Sequence, residues 1–197
     1  MTVWRHADWS TVAEFGADTI HFVKYPHPAA SVRGTPDLSV NGIRDVDSTQ
    51  FPPQIRTKGG ETLFVPRTNR FALAELAARH GIPETRRPDL WSLLLDPFLD
   101  TEVTTEQIGH VDRILRAHGL TDAEIGGVRA NVAEMAESYN AFMWEWTDLD
   151  LYDLICASSV WHRSEADQGR AFYTWAMELA DRAGTKSGTT SSFTPRG

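Results

Sequence analysis

Behind Thr121-Asp122-Ala123-Glu124, apolar residues recur at Ile125, Val128, Val132, Met135, Tyr139, Phe142 and Trp146, in steps of three and four. That spacing holds one stripe on one side of a 3.6-residue helix and predicts a single amphipathic rod over 122–146. Thr121 and Glu124 stand three apart, so the hydroxyl can serve an orphan N–H while the carboxylate reaches back, as in a capping box. Gly126 and Gly127 weaken the first turns by roughly 1 kcal/mol each relative to Ala.

The same period predicts helices elsewhere after Thr68. Arg70 to His80 is rich in Ala and Leu and is followed by Gly81 at the position where a left-handed residue ends a helix. Asp89 caps a short apolar segment, Leu90 to Leu95, that Pro97 ends. Thr104 or Thr105 opens a helix with the stripe Ile108, Val111, Ile114 and Leu115, closed by Gly119. Asp148 starts another through Ala157, and Ser164 with Asp167 caps a last one, with Phe172, Trp175 and Leu179 inward and Gly184 at its end.

Before Thr68 the pattern is irregular. Asp8-Trp9-Ser10 opens a short helix through Phe15, stopped by Gly16, and Ile20 to Tyr25 alternates as a strand until Pro26. Asn41-Gly42 lies between apolar residues, and both tolerate the positive φ of a type I′ turn, so a hairpin is expected over Leu38 to Ile43. A second hairpin pairs Gln54–Thr57 with Glu61–Val65 across Lys58-Gly59-Gly60, leaving Arg44 to Phe51 as a loop.

These elements add up to a mainly α fold: a helical bundle of about six helices with a small N-terminal β-hairpin layer. Residues 1–184 read as a single globular domain, irregular and hairpin-bearing over 1–67 and helical over 68–184. The Ser/Thr/Gly-rich stretch 185–197 reads as a mobile tail.

Composition narrows the class. At 197 residues with 41% hydrophobic and 23% charged side chains, the chain is long enough for one sizeable core and is neither disordered nor membrane-like. The N-terminus lacks the basic and apolar regions of a signal peptide, and one cysteine, Cys156, allows no intrachain disulfide, so a cytoplasmic setting is expected. The net charge of −8 is uneven: −2 over residues 1–50, +3 over 51–90, −10 over 91–160 and +1 thereafter. An acidic majority disfavours a phosphate backbone as partner, and no nucleic acid or membrane partner is expected.

Motifs for known chemistry are missing. The segment Leu73 to Ile82 resembles the start of a helix-turn-helix, but Pro88 would fall inside its second helix. No Walker A loop, Gly-x-Gly-x-x-Gly, Gly-x-Ser-x-Gly or His-Glu-x-x-His occurs, and Glu106 with His110 is only half of a metal site. No metal or cofactor is expected. Cys156, in an apolar helical run, reads as a buried inert thiol.

Two groups remain. Phe142, Met143, Trp144 and Trp146 make the far end of the long helix apolar nearly all round, so Glu137 or Glu145 there would be desolvated and suited to proton transfer. Asn140 and Trp144 share the face of Glu137 and would orient a ligand, His110 being a weaker substitute for the carboxylates. Arg56, Arg67 and Arg70, near the second hairpin and its exit, would hold an anionic group. The expected function is a binding or regulatory module for a protein partner or small ligand. The alternative is a small-molecule enzyme using carboxylate acid–base chemistry, with the arginines holding an anionic substrate group.

Overall fold

A computed structural model describes residues 10–98, 104–143 and 149–184, and this part of the chain divides after Arg87 into two compact units.

The first unit, from Ser10 to Arg87, is built on two three-stranded antiparallel sheets. One has the order β1 (Val12–Phe15), β2 (Thr19–Lys24), β3 (Asp37–Ser39); the other runs β4 (Ile43–Asp47), β5 (Gln54–Thr57), β6 (Thr62–Phe64). A four-residue helical turn, α1 (Ser31–Gly34), connects β2 to β3, and α2 (Arg70–His80) follows β6. The expected bundle with one small hairpin layer is therefore corrected: six strands in two sheets, with their own helix, make the architecture mixed α/β.

Local chemistry explains the departures. Residues 12–15 form a strand rather than a helix because Gly16 N–H closes a tight turn on Thr19 C=O (2.9 Å) and pairs Phe15 with Ile20. Asn41-Gly42 makes no hairpin. Ser39 Oγ accepts from Asn41 N–H (3.3 Å), the residues Val40–Gly42 coil into a 3₁₀ turn, and the strands on either side enter different sheets. The supposed loop after Arg44 is strand β4, paired with β5 through Val46–Ile55 and Asp45–Arg56. The second hairpin forms where expected, with Gly60 at φ +88°, a conformation that glycine adopts without a Cβ clash.

Alternation divides the second sheet into two faces. Val46, Ile55 and Leu63 lie in register and are fully buried on one face. The other carries Asp45, Arg56 and Thr62, which are buried too. Past Gly81 (φ +65°), the chain runs back along β4: Val46 N–H donates to Pro83 C=O (2.9 Å) and Thr85 N–H to Val46 C=O (2.8 Å).

The second unit, from Pro88, is helical: α3 (Leu90–Leu95), α4 (Thr105–Ala117), α5 (Asp122–Met143), α6 (Leu151–Trp161) and α7 (Ala166–Asp181). The shortest of these is central. Leu90, Trp91, Leu94 and Leu95 are all essentially inaccessible, and α3 touches each of the other four helices. Trp91 packs edge-on against Trp175 at 5.3 Å between ring centroids, and its indole N–H donates to Ala176 C=O (2.9 Å). Such aromatic pairs add about 0.5–1.5 kcal/mol beyond the area they bury.

Capping follows the sequence in most places. Asp89 accepts from Trp91 and Ser92 N–H, Thr104 forms a capping box with Gln107, and Thr121 forms one with Glu124. Helix α6 starts at Leu151 with Asp150 as its cap, and α7 begins after Glu165 without a side-chain cap. The long helix is continuous from Asp122 through Met143; the stretch 144–148 lies outside the described residues. Among the described residues no helix is long and apolar enough to cross a membrane.

Candidate functional site

The start of α6 gathers three carboxylates. Asp150 Oδ1 accepts from Asp153 N–H (3.0 Å), and Asp153 Oδ2 accepts from Asp150 N–H (3.3 Å), the two halves of a capping box. Asp89, the cap of α3, turns its second oxygen to Leu151 N–H (3.2 Å). Tyr139, reaching across from α5, donates its hydroxyl to Asp153 Oδ1 (3.1 Å). One aspartate therefore serves two helix starts, and the positive end of α6 faces three carboxyl groups.

Burial sets the protonation of this group. Loss of hydration raises Asp150 to about 8, with the charges of Asp153 and Asp89 adding to the rise. Asp153 and Asp89 are likewise raised, mainly by burial, against the lowering effect of the N–H groups they accept. Tyr139 is pushed up by burial and by Asp153, and the Cys156 thiol, one turn along α6, by the same two causes. None of the three aspartates has a basic partner among the described residues.

Beside this group lies a narrow cleft of about 10 Å³, room for about one water molecule. Its walls are Leu95, Ala136, Leu149, Leu154, Ala157, Tyr139 and Asp153; the surface they expose is apolar, with the Tyr139–Asp153 hydrogen bond behind it. That is far below the range of ligand pockets, so the cleft suits only a head group about the size of an ammonium. Among the described residues, no three His, Cys, Asp or Glu side chains are grouped as a metal ion requires. The three aspartates act as caps, not as a ligand cage.

The residues singled out from sequence are distributed differently. Glu137 is exposed on α5, so the enclosure that would suit it to proton transfer is found instead two residues on, at Tyr139 and its partner Asp153. Asn140 stands on α5, but its side chain lies outside the described residues, as do Trp144 and Glu145 entirely. His110 is exposed on α4.

Arg56 is buried and fully engaged. Its Nε donates to Asp45, one terminal nitrogen to Gln54 Oε1 (3.3 Å), and the other to Thr85 C=O. Arg44 and Arg87 also reach Asp45, at 3.0 and 3.1 Å. Arg67 and Arg70 are exposed at the entry to α2, the first over the ring of Phe51 (4.7 Å) and the second over Phe71 (4.9 Å).

Asp150 and Asp153 were not singled out, although Asp-x-x-Asp before an apolar run is a readable capping signal. From sequence Asp89 is legible only as a cap, because its approach to Leu151 spans 62 positions and leaves no local trace.

No protein-family model matches the chain, and no match is found among curated proteins or solved structures.

Proposed function

We propose that this chain is a binding module and that its helical unit takes a small organic cation in the cleft beside α6. The observation that supports this reading is the buried Tyr139–Asp153 hydrogen bond at the wall of an apolar cleft, where Asp153 has no basic partner among the described residues. A buried carboxylate without a counter-ion is costly, and a cation brought by a ligand offsets that cost while its carbon skeleton meets leucine and alanine walls.

A second reading, a small-molecule enzyme using carboxylate acid–base chemistry, draws support from the displaced protonation of Asp150. A carboxyl group that holds its proton near neutrality can act as a general acid. In that reading the proton-transfer groups are the aspartates of α6.

The test is thermal unfolding against a panel of small primary amines, with matched carboxylates as controls. A ligand at about 100 times its Kd stabilises the native state by about 2.7 kcal/mol, which moves the midpoint by several degrees. Amines should raise the midpoint, carboxylates should not, and Asp153→Asn should remove the response while preserving the fold. If no amine shifts the midpoint, or if Asp153→Asn responds like the native chain, the proposal fails. Chemical conversion of an amine during incubation would favour the enzyme.

A further inference from the structure

We propose that Phe51, Arg67, Arg70 and Phe71 form a docking surface for a partner's peptide segment that mixes carboxylate and aromatic side chains. The surface belongs to the sheet unit and does not depend on the cleft beside α6, so either proposal can fail alone.

The two rings are the most exposed large apolar side chains among the described residues, Phe51 at 62% and Phe71 at 75%. Helix α2 has a buried side of Leu73, Leu76 and Ala77, and Phe71 is turned away from it. Leaving a phenylalanine in water forgoes the free energy of burying its ring. A single such residue is ordinary, but here each ring lies under its own guanidinium.

Arg67 opens a 3₁₀ turn that Arg70 closes, with Arg70 N–H bonded to Arg67 C=O. Residues three apart in such a turn eclipse, so both arginines leave the chain on one side, and Phe71 follows on the next position. Neither arginine has a carboxylate partner among the described residues, and the first turn of α2 carries no acidic residue. A guanidinium stacked on a ring keeps its planar N–H fork for a carboxylate, and the ring edge beside it offers apolar contact. Arginine with aromatic side chains is also the usual make-up of interface anchors.

Charge complementarity selects the occupant. Arg67 and Arg70 are two positive charges without a carboxylate partner among the described residues of a chain of net −8, so an acidic segment is drawn to this surface. Two arginines neutralise two charges, which matches a short acidic peptide. A nucleic-acid strand places a charge at every nucleotide and would bring most of them against an acidic molecule.

The experiment is fluorescence anisotropy of the full chain with a labelled peptide alternating glutamate and tyrosine. Peptides alternating lysine with tyrosine and glutamate with glycine, and an oligothymidine of equal length, serve as comparisons. The Glu–Tyr peptide should bind saturably, more tightly than the other three, and weaken as salt rises from about 50 to about 300 mM. Arg67→Ala/Arg70→Ala and Phe51→Ala/Phe71→Ala should each loosen it by about tenfold or more without moving the unfolding midpoint. If the alanine variants unfold, Arg67→Lys/Arg70→Lys, which keeps charge but loses the fork, carries the same test. Absence of saturable binding, or undiminished affinity in folded variants, overturns the proposal. Equal affinity for Glu–Gly removes the rings from it, and tighter binding of oligothymidine through the same residues replaces the peptide with a nucleic acid. Self-association abolished by the arginine variants would make the occupant a second copy of the chain.

Discussion

Asp45 is a small acidic residue that holds three arginines, and the consequence is felt at single positions. Arg56 Nε, Arg44 Nε and Arg87 all approach one carboxylate that is 3% exposed, and Arg56 also ties down Gln54 and the Thr85 carbonyl. Removing one member of a buried pair strands the other without water. Arg56→Ala should therefore cost about 3–5 kcal/mol in urea unfolding, against well under about 1 kcal/mol for Arg67→Ala or Arg70→Ala on the surface. Equal losses at the three arginines would contradict this division. Sequence proximity grouped Arg56, Arg67 and Arg70 as one pocket. What it does not contain is strand register, and register alone puts Arg56 opposite Asp45 while leaving the other two outside.

At the scale of elements, legibility follows how local the deciding interaction is. The capping box at Thr121 and the glycine stop at Gly81 rest on bonds within a few residues, and both are where the sequence puts them. Strand β4 was missed because both of its faces are buried, one of them by the Asp45–Arg56 pair, so alternation of polar and apolar residues fails as a signal. The Asp150 cap lies between these cases: a local pattern whose environment is tertiary. Asn caps a helix about as well as Asp, so Asp150→Asn should keep α6 while removing a charge that burial disfavours. We expect that variant to exceed the native chain in stability by more at pH 8 than at pH 5, with Asp150→Ala about 1 kcal/mol below Asp150→Asn at both. Urea midpoints at the two pH values decide the matter.

Across the whole molecule the three aspartates give acidity an unusual sign. A carboxyl group whose native pKa is raised contributes stability that is complete below its unfolded value of 3.8 and is lost as pH climbs through about 8. Stability from this source therefore grows on acidification from pH 8 to pH 5, by no more than about 1.4 kcal/mol per pH unit for each proton taken up. The aspartates all lie beyond Arg87, so amide hydrogen exchange, corrected for intrinsic rates, should gain protection in α3, α5 and α6 and not in β4 to β6. A uniform response, or a loss in the helices, would contradict the assignment. The segment Pro83–Thr85 has a different kind of importance. By hydrogen-bonding to Val46, it occupies the side of β4 that β5 does not. A fragment ending at the Gly81 helix stop would uncover that backbone as a bare ladder of donors and acceptors, and such ladders recruit one another. Ending the chain at Gly81 should therefore make it more prone to stick to itself, through the backbone N–H and C=O of Val46.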